Sequence, residues 1–284
     1  MIDHLETPEG TIAYEVSGAG PLVVLAHGMG DSRHSYRFVV PELVAAGYRV
    51  ANVDIRGCGD STAEWPSYQR ADIARDLVAV VRQLGGPAVV VGQSISGGAA
   101  TIAAATAPDV VVGIVELAPF TRAQSVDLVG LIRNSRHRAG TVQLAKVMMT
   151  GSLQGWLTYL DAAIPTKPAD WAAERGRIET TLRRPERMAA LRAMTRTSPK
   201  DAGAHLADVH CPVLIVEGSA DPDWADPRAE AERILGDLPD GVGEIAVIDG
   251  AGHYPHTETP VQVVALLLPF LRRTLTATAP VDHA

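Results

Sequence analysis

The 284-residue chain has few of the features that mark several common classes of protein. Its two cysteines, Cys58 and Cys211, cannot form the disulfide framework of a small secreted protein. No apolar run approaches the roughly 20 residues of a membrane span, and the amino terminus has no basic segment followed by an apolar one. We therefore expect a cytoplasmic protein with no membrane partner.

Positive charge is also scarce, since the net charge is -8. Binding to nucleic-acid phosphates needs an accumulated positive surface, so we expect no nucleic-acid partner. The charge is unevenly distributed, because residues 121–205 contain 14 basic and 7 acidic residues, whereas the rest of the chain contains 11 and 26. The basic segment is therefore expected to be a separate structural unit.

The sequence also lacks the usual motifs for a bound metal or nucleotide. It contains no His-Glu-x-x-His motif and no pair of cysteines at zinc-binding spacing. A glycine-rich loop of the kind that holds phosphate groups is missing too. We therefore predict no metal site and no cofactor.

Short apolar runs alternate with helical stretches along most of the chain, which predicts an α/β fold with a mostly parallel, doubly wound sheet. The more polar segment 11–16 is expected to be an edge strand, antiparallel to its neighbour. The alternation breaks between residues 121 and 207, where helical spacing continues without a convincing strand. We therefore predict a core domain of residues 1–120 and 208–284 and a helical cap of residues 121–207.

In this arrangement the cap is inserted before the strand that precedes Asp221. Ligands bind at the carboxyl edge of the strands in open α/β sheets, and an insertion between two such strands covers that edge. The cap is therefore expected to form a lid over the site.

The most informative segment of the chain is 89–100, with the sequence VVVGQSISGGAA. A β-branched run ends at Gly92, Ser94 follows two residues later, and small helix-forming residues begin at once. This pattern predicts a strand, a sharp turn and a helix, with Ser94 at the apex as a candidate nucleophile. A second register would place Ser96 at the apex, and in a purely structural interpretation both serines only cap the helix.

Two other reactive residue types follow predicted strands. Asp221 comes after the strand at 213–216, and His253 lies in a glycine-rich loop after the last strand. Three loops at one edge of a sheet can bring Ser94, Asp221 and His253 together. In such a set the histidine takes and returns the serine proton, while the carboxylate orients the imidazole. The competing candidates are Asp223 and Asp226 for the acid, His256 for the base, and Glu116 as an acid supplied from another strand.

These segments resemble those of the α/β-hydrolase family, in its members with a helical cap. The motifs that carry the resemblance are His27-Gly28-Met29-Gly30, the segment 54–61, the serine turn and the loops of Asp221 and His253. The resemblance implies that the backbone N–H groups of Met29 and Ile95 form an oxyanion hole. The chain departs from the family at Ser96, where a glycine is usual.

The resemblance also narrows the expected activity. Dehalogenases and epoxide hydrolases of this fold use an aspartate nucleophile, so Ser94 argues against both activities. We predict a serine hydrolase that cleaves an ester or thioester of a small to medium apolar molecule. The residues expected to bind this substrate are Gly28, Phe120, Trp224, Tyr254 and Trp156, with Met148, Met149, Tyr159 and Trp171 as further candidates from the cap.

Three other functions remain open at this point. Related capped members with a serine triad hydrolyse carbon-carbon bonds of diketone-like compounds, and others release or cyclise biosynthetic acyl chains. Some relatives of the fold are ligand-binding receptors that retain the triad. Besides a small-molecule substrate, the candidate partners are an acidic acyl carrier protein, attracted by the basic cap, and further copies of the chain in a homo-oligomer.

Overall fold

The computed structural model describes residues 1–123 and 128–276. Eight strands form one sheet: β1 (Ile2–Thr7), β2 (Gly10–Ser17), β3 (Leu22–Ala26), β4 (Arg49–Val53), β5 (Ala88–Gln93), β6 (Val111–Leu117), β7 (Val213–Gly218) and β8 (Gly243–Ile248). Their order across the sheet is β1-β2-β4-β3-β5-β6-β7-β8. Strands β3 to β8 pair in parallel, which confirms the predicted mostly parallel sheet.

The segment 11–16 lies in β2, which is antiparallel as predicted but is not an edge strand. Strand β1 covers it, in a register that runs from Ile2 opposite Glu15 to Thr7 opposite Gly10. The predicted edge position is therefore wrong. Residues of β1 are alternately exposed and half-buried and none is fully buried, so the apolar signal of this strand is weak.

The helices of the described residues are α1 (Val40–Ala45), α2 (Arg70–Gln83), α3 (Ile95–Thr106), α4 (Leu128–Arg133), α5 (Ser135–Thr150), α6 (Leu153–Ala163), α7 (Trp171–Leu182), α8 (Pro185–Met194), α9 (Lys200–Gly203), α10 (Pro227–Asp237), α11 (Pro255–Glu258) and α12 (Pro260–Thr276). Short 3-10 turns occupy Arg33–Tyr36 and Leu206–Asp208. Among the described residues, no helix combines the length and apolarity needed to cross a membrane.

Helices cover both faces of the sheet because successive side chains of a strand point to opposite sides. Val90 of β5 packs in the apolar layer formed with α2, α3 and α10. Its neighbours Val89 and Val91 pack in the layer formed with α1 and α12. All three valines are fully buried, as a parallel sheet covered on both faces requires.

Helices α4 to α9 form an insertion between β6 and β7, at the predicted position. The insertion has its own apolar cluster, which includes Trp156 and Leu160, and Tyr254 joins this cluster from the loop after β8. Ion pairs also link the insertion to the rest of the chain, since Arg177 Nη2 lies 2.8 Å from Asp31 Oδ1. The limits 121–207 for a cap domain stay a prediction, and the proposed domains include residues 124–127 and 277–284, which lie outside the described residues.

Candidate active site

Ser94 lies at the turn between β5 and α3. Its φ and ψ are 56° and -117°, a backbone conformation that L residues rarely adopt and that is common at functional turns. The side chain of Ser94 does not cap α3. A Cβ atom on Gly92 would lie 2.1 Å from the Ser96 carbonyl oxygen, so the close approach of the two arms requires glycine at position 92.

Ser96 has a different environment from Ser94. Its hydroxyl is fully buried and donates a 2.6 Å hydrogen bond to the carbonyl oxygen of His27. This bond ties the start of α3 to the loop after β3. The structure therefore places Ser94 at the apex of the turn and uses the Ser96 hydroxyl to brace the neighbouring loop.

Asp221 follows β7 and His253 follows β8, and their side chains meet at the carboxyl edge of the sheet. His253 Nδ1 donates to Asp221 Oδ2 at 2.7 Å, and Asp223 Oδ2 lies 3.3 Å from the same nitrogen. Because a carboxylate only accepts, the proton of a neutral imidazole is held on Nδ1, and Nε2 is left as the acceptor. All three side chains are buried.

The other candidate acids and bases have separate structural partners. The Asp226 side chain caps α10 by accepting from the Ala229 N–H at 3.0 Å. The ring of His256 stacks on Tyr36, with centroids 4.6 Å apart. Glu116 accepts hydrogen bonds from two threonine hydroxyls, those of Thr101 and Thr121.

Burial and charge shift the pKa values of Asp223 and His253. Burial raises the pKa of Asp223 to about 7, and the charge of Asp221 contributes to the increase. Burial acts to lower the pKa of His253, but the charges of Asp221 and Asp223 outweigh it and raise that pKa above its ordinary value. The Tyr159 hydroxyl donates to Asp223 Oδ2 at 2.6 Å, which partly compensates the buried carboxylate.

The spacing of Asp221, Asp223 and His253 also suits a metal ion. The ligand atoms of Asp221, Asp223 and His253 all lie within 4.8 Å of one another. In the present arrangement, however, the Nδ1 proton occupies one oxygen of Asp221, and the Tyr159 hydroxyl occupies one oxygen of Asp223. The hydrogen-bonded Asp-His pair accounts for these contacts without an ion.

Ser94 and His253 line the same cavity, which has a volume of about 350 Å³ and lies between the sheet edge and the helical insertion. The predicted substrate-binding residues found in its wall are Phe120, Trp156 and Tyr254, together with Met148 and Tyr159 from the further candidates. Met29, a predicted oxyanion-hole donor, lines the cavity as well, whereas Gly28 is not among its lining residues. Trp224 packs against the Phe120 ring, with centroids 5.2 Å apart, instead of lining the cavity. Met149 is exposed, and Trp171 lines a smaller, separate cavity.

The two predicted oxyanion-hole donors lie on segments that adjoin Ser94. Ile95 is the first residue of α3, where N–H groups lack helical partners and the helix dipole favours negative charge. Within the described part of the chain, neither the Ile95 N–H nor the Met29 N–H donates to another protein atom. A Cβ atom on Gly28 would lie 3.2 Å from Ser94 Cβ, so glycine allows the Met29 loop to approach the serine.

Sequence reasoning missed some residues that shape the site. The side chain of Gln93 donates from Nε2 to the His253 carbonyl oxygen at 2.9 Å and so holds the histidine loop against β5. Arg70 and Lys200 also line the cavity. Gln93 is the last residue of β5, and Arg70 and Lys200 are the first residues of α2 and α9. Polar residues are common at such positions, so no sequence pattern marks these three as part of a site.

Known proteins share the fold and parts of the sequence of this chain. Residues 23–266 match the alpha/beta hydrolase family. The 2-(acetamidomethylene)succinate hydrolase of Mesorhizobium japonicum is 29% identical over 259 residues, which cover 88% of this chain and 87% of that enzyme. Epoxide hydrolase B of Mycobacterium tuberculosis is 36% identical over 115 residues, or 39% of this chain and 32% of that enzyme.

The fold is also similar to that of a thermophilic esterase from Thermogutta terrifontis, whose structure was determined with malate bound. The TM-score is 0.76 at 24% identity, and the superposition covers 97% of this chain and 99% of the esterase. The match to the family spans most of the chain, and the sheet order with its helical insertion agrees with it. The chain is therefore a hydrolase and belongs to the alpha/beta hydrolase family.

Proposed function

We propose that the protein is a serine hydrolase that cleaves an ester or thioester through an acyl-enzyme. The observation that carries this proposal is the 2.7 Å hydrogen bond between His253 and Asp221 at the wall of the cavity that Ser94 also lines. A serine beside a histidine that is hydrogen-bonded to a carboxylate is the set of groups used for acyl transfer in many unrelated enzymes.

In the proposed reaction, Ser94 Oγ attacks the acyl carbon while its proton passes to His253 Nε2. The negative charge that develops on the acyl oxygen is stabilised by the N–H groups of Met29 and Ile95. His253 then protonates the leaving alcohol or thiol. Water, deprotonated by His253, attacks the acyl-enzyme and releases the carboxylic acid, and the proton returns to Ser94.

The cavity wall supports an apolar acyl or ring-bearing group as part of the substrate. Met29, Phe120, Trp156 and Met148 contribute apolar surface beside Ser94. Pockets with a mainly apolar wall and a few polar groups are typical of small-molecule sites. We therefore propose a substrate that presents an apolar segment next to the scissile bond.

The proposed function is tested with a panel that contains 4-nitrophenyl butyrate, a butyryl thioester, a vinylogous diketone and an aryl epoxide. We expect turnover of the ester and thioester, with a burst of nitrophenolate if hydrolysis of the acyl-enzyme is the slow step. Turnover of the diketone alone would assign carbon-carbon hydrolysis instead. Tight binding without turnover of any compound would assign a ligand-binding receptor.

The second carboxylate beside His253 leads to a prediction about pH dependence. Because the charge of Asp223 helps to raise the pKa of His253, the variant Asp223→Asn removes that contribution and lowers the pKa. The base must be neutral to accept the serine proton, so the acid limb of kcat/KM should move to lower pH, by about one pH unit. The measurement is a pH profile of kcat/KM for 4-nitrophenyl butyrate.

The matched control for this experiment is Asp226→Asn, which removes a carboxylate that caps α10 outside the site. This variant should keep the acid limb of the wild-type profile. An unchanged limb in Asp223→Asn, or a shift to higher pH, would show that Asp223 does not act on His253 in this way.

A further inference from the structure

The cavity beside Ser94 contains a buried arginine that the proposed reaction does not use. Arg70 is the first residue of α2, is 2% exposed and lines the cavity. Its Nε donates to the Phe120 carbonyl oxygen at 2.8 Å, and its Nη1 donates to Thr197 Oγ1 at 3.1 Å. A guanidinium has five N–H donors, so three of them lack a partner among the described residues.

Arg70 also lacks an ion-pair partner, since no carboxylate of the described residues lies within 4.0 Å of its guanidinium. The equally buried Arg56 is different, because it contacts both oxygens of Asp76 at 2.8 and 2.9 Å. Asp201 is the carboxylate whose charge acts on Arg70, but its oxygens accept from backbone N–H groups instead. A buried charge without a partner is costly, so the arrangement indicates an anion supplied from outside the protein.

The position of Arg70 is closely linked to that of Ser94. The Phe120 N–H donates to the Ser94 carbonyl oxygen at 3.1 Å, and the Phe120 carbonyl oxygen accepts from Arg70 Nε. A Cβ atom on Gly98 would lie 2.8 Å from Arg70 Cδ, so glycine at position 98 leaves room for the arginine. Phe120 therefore connects the backbone of Ser94 to the guanidinium of Arg70.

A second cation lies in the same wall of the cavity. Lys200 is exposed at the start of α9, and among the described residues it has no carboxylate within ion-pair distance. Thr195, Thr197 and Ser198 of the adjoining segment line the cavity as well, but the hydroxyls of Thr195 and Thr197 already donate to backbone carbonyl oxygens. The donors that remain for a ligand on this part of the wall are therefore mainly the N–H groups of the two cations, Arg70 and Lys200.

We propose that Arg70, assisted by Lys200, binds a carboxylate of the substrate, so that the preferred substrate carries an anionic group besides the acyl bond that Ser94 attacks. This inference rests on the proposed function and specifies its substrate class. The planar fork of an arginine matches the two oxygens of a carboxylate. Burial lowers the pKa of Arg70 to about 10, so the guanidinium is still charged at neutral pH.

The acidic groups that adjoin the same cavity would help to orient such a substrate. Asp223 and His253 line the cavity, and Asp221 is hydrogen-bonded to His253. Their carboxylates repel an anionic group, whereas Arg70 and Lys200 attract it. The anionic end of the substrate would therefore lie next to Arg70, and its acyl bond would lie next to Ser94.

The test compares two esters that differ in one terminal group. Mono-4-nitrophenyl adipate carries a carboxylate where 4-nitrophenyl hexanoate has a methyl group. For the wild-type protein we expect kcat/KM to be at least about 10-fold higher for the adipate ester, since a charge-assisted contact contributes roughly that factor or more. In Arg70→Met, the ratio of adipate to hexanoate kcat/KM should fall about 10- to 100-fold.

Two other variants complete the kinetic test. Lys200→Met should reduce the ratio by only a few-fold, because the lysine is exposed and its charge is screened. Arg196→Met is the matched control, since Arg196 is an exposed cation of the same segment that does not line the cavity. It should leave the ratio and both kcat/KM values unchanged.

A binding experiment keeps the inference testable if Arg70→Met does not fold. Adipate and the neutral adipamide are titrated calorimetrically into Ser94→Ala, in which Arg70 is intact. Adipate should bind at least about 10-fold more tightly, and the difference should decrease as salt is added.

The outcomes separate the two proposals. Equal binding of adipate and adipamide, or an unchanged ester ratio in a folded Arg70→Met, would overturn the carboxylate subsite. Hydrolysis of the hexanoate ester without any preference for the adipate ester would do the same, and would leave the proposed function in place. No hydrolysis of either ester, with preferential binding of adipate, would overturn the proposed function and support the subsite.

Discussion

Replacing Ser94 with alanine should lower kcat for ester hydrolysis by on the order of 10⁵- to 10⁶-fold, the loss typical of removing the nucleophile of a triad. In the proposed reaction, Ser94 Oγ is the atom that becomes acylated, and neither Asp221 nor His253 can replace it. The Ser94 side chain does not cap α3, so the variant should fold normally. The measurement is kcat for 4-nitrophenyl butyrate, with the melting temperature of the same sample.

The matched control is Ser96→Ala, two residues further along the chain in the first turn of α3. This change removes the hydrogen bond to the His27 carbonyl oxygen and should cost about 1 kcal/mol of unfolding free energy. Its kcat should remain within about 10-fold of the wild-type value, because Ser96 is not expected to form the acyl-enzyme. If Ser96→Ala were inactive and Ser94→Ala active, the assignment of the two serines would have to be reversed.

The second large effect is expected for Asp221→Asn, which should lower kcat by about 10⁴-fold. Asn can donate a hydrogen bond to the imidazole, so it favours the wrong tautomer of His253 and places the proton on Nε2. It also removes the charge that stabilises the imidazolium during proton transfer. Because the two side chains have nearly the same shape, the fold should be retained, and kcat on the butyrate ester measures the loss.

Asp223→Asn tests which of the two carboxylates orients the histidine. Asp221 Oδ2 lies 2.7 Å from His253 Nδ1, whereas Asp223 Oδ2 lies at 3.3 Å and already accepts from the Tyr159 hydroxyl. At a pH above the acid limb, Asp223→Asn should therefore retain kcat within about 10-fold of the wild-type value. A loss in Asp223→Asn as large as that in Asp221→Asn would show that the two carboxylates share the role.

Much of the fold could be predicted from the sequence because strands and helices have distinct apolar periods. The valine run before Gly92 is buried on both faces of the sheet, and this accounts for its uninterrupted apolar character. Strand β1 could not be predicted from the sequence, because it lies at an edge of the sheet and its residues are at most half-buried. An edge strand needs little apolar surface, so its periodicity is a poor signal.

The residues proposed for the chemistry were easier to predict than those around them. Ser94, Asp221 and His253 each follow a strand and therefore lie at one edge of the sheet, which depends only on topology. The position of Trp224 behind Phe120 depends instead on side-chain packing. The unpaired guanidinium of Arg70 could not be predicted either, because the absence of a partner is visible only in three dimensions.

The most direct test of the account is to identify the residue that reacts with a fluorophosphonate. Such reagents modify the activated serine of a hydrolase, and peptide mass spectrometry locates the adduct. We expect one adduct per chain, on Ser94, that is retained in Ser96→Ala and absent from both Ser94→Ala and the unfolded protein. An adduct on Ser96, or continued ester turnover by a Ser94→Ala sample free of adduct, would contradict the account.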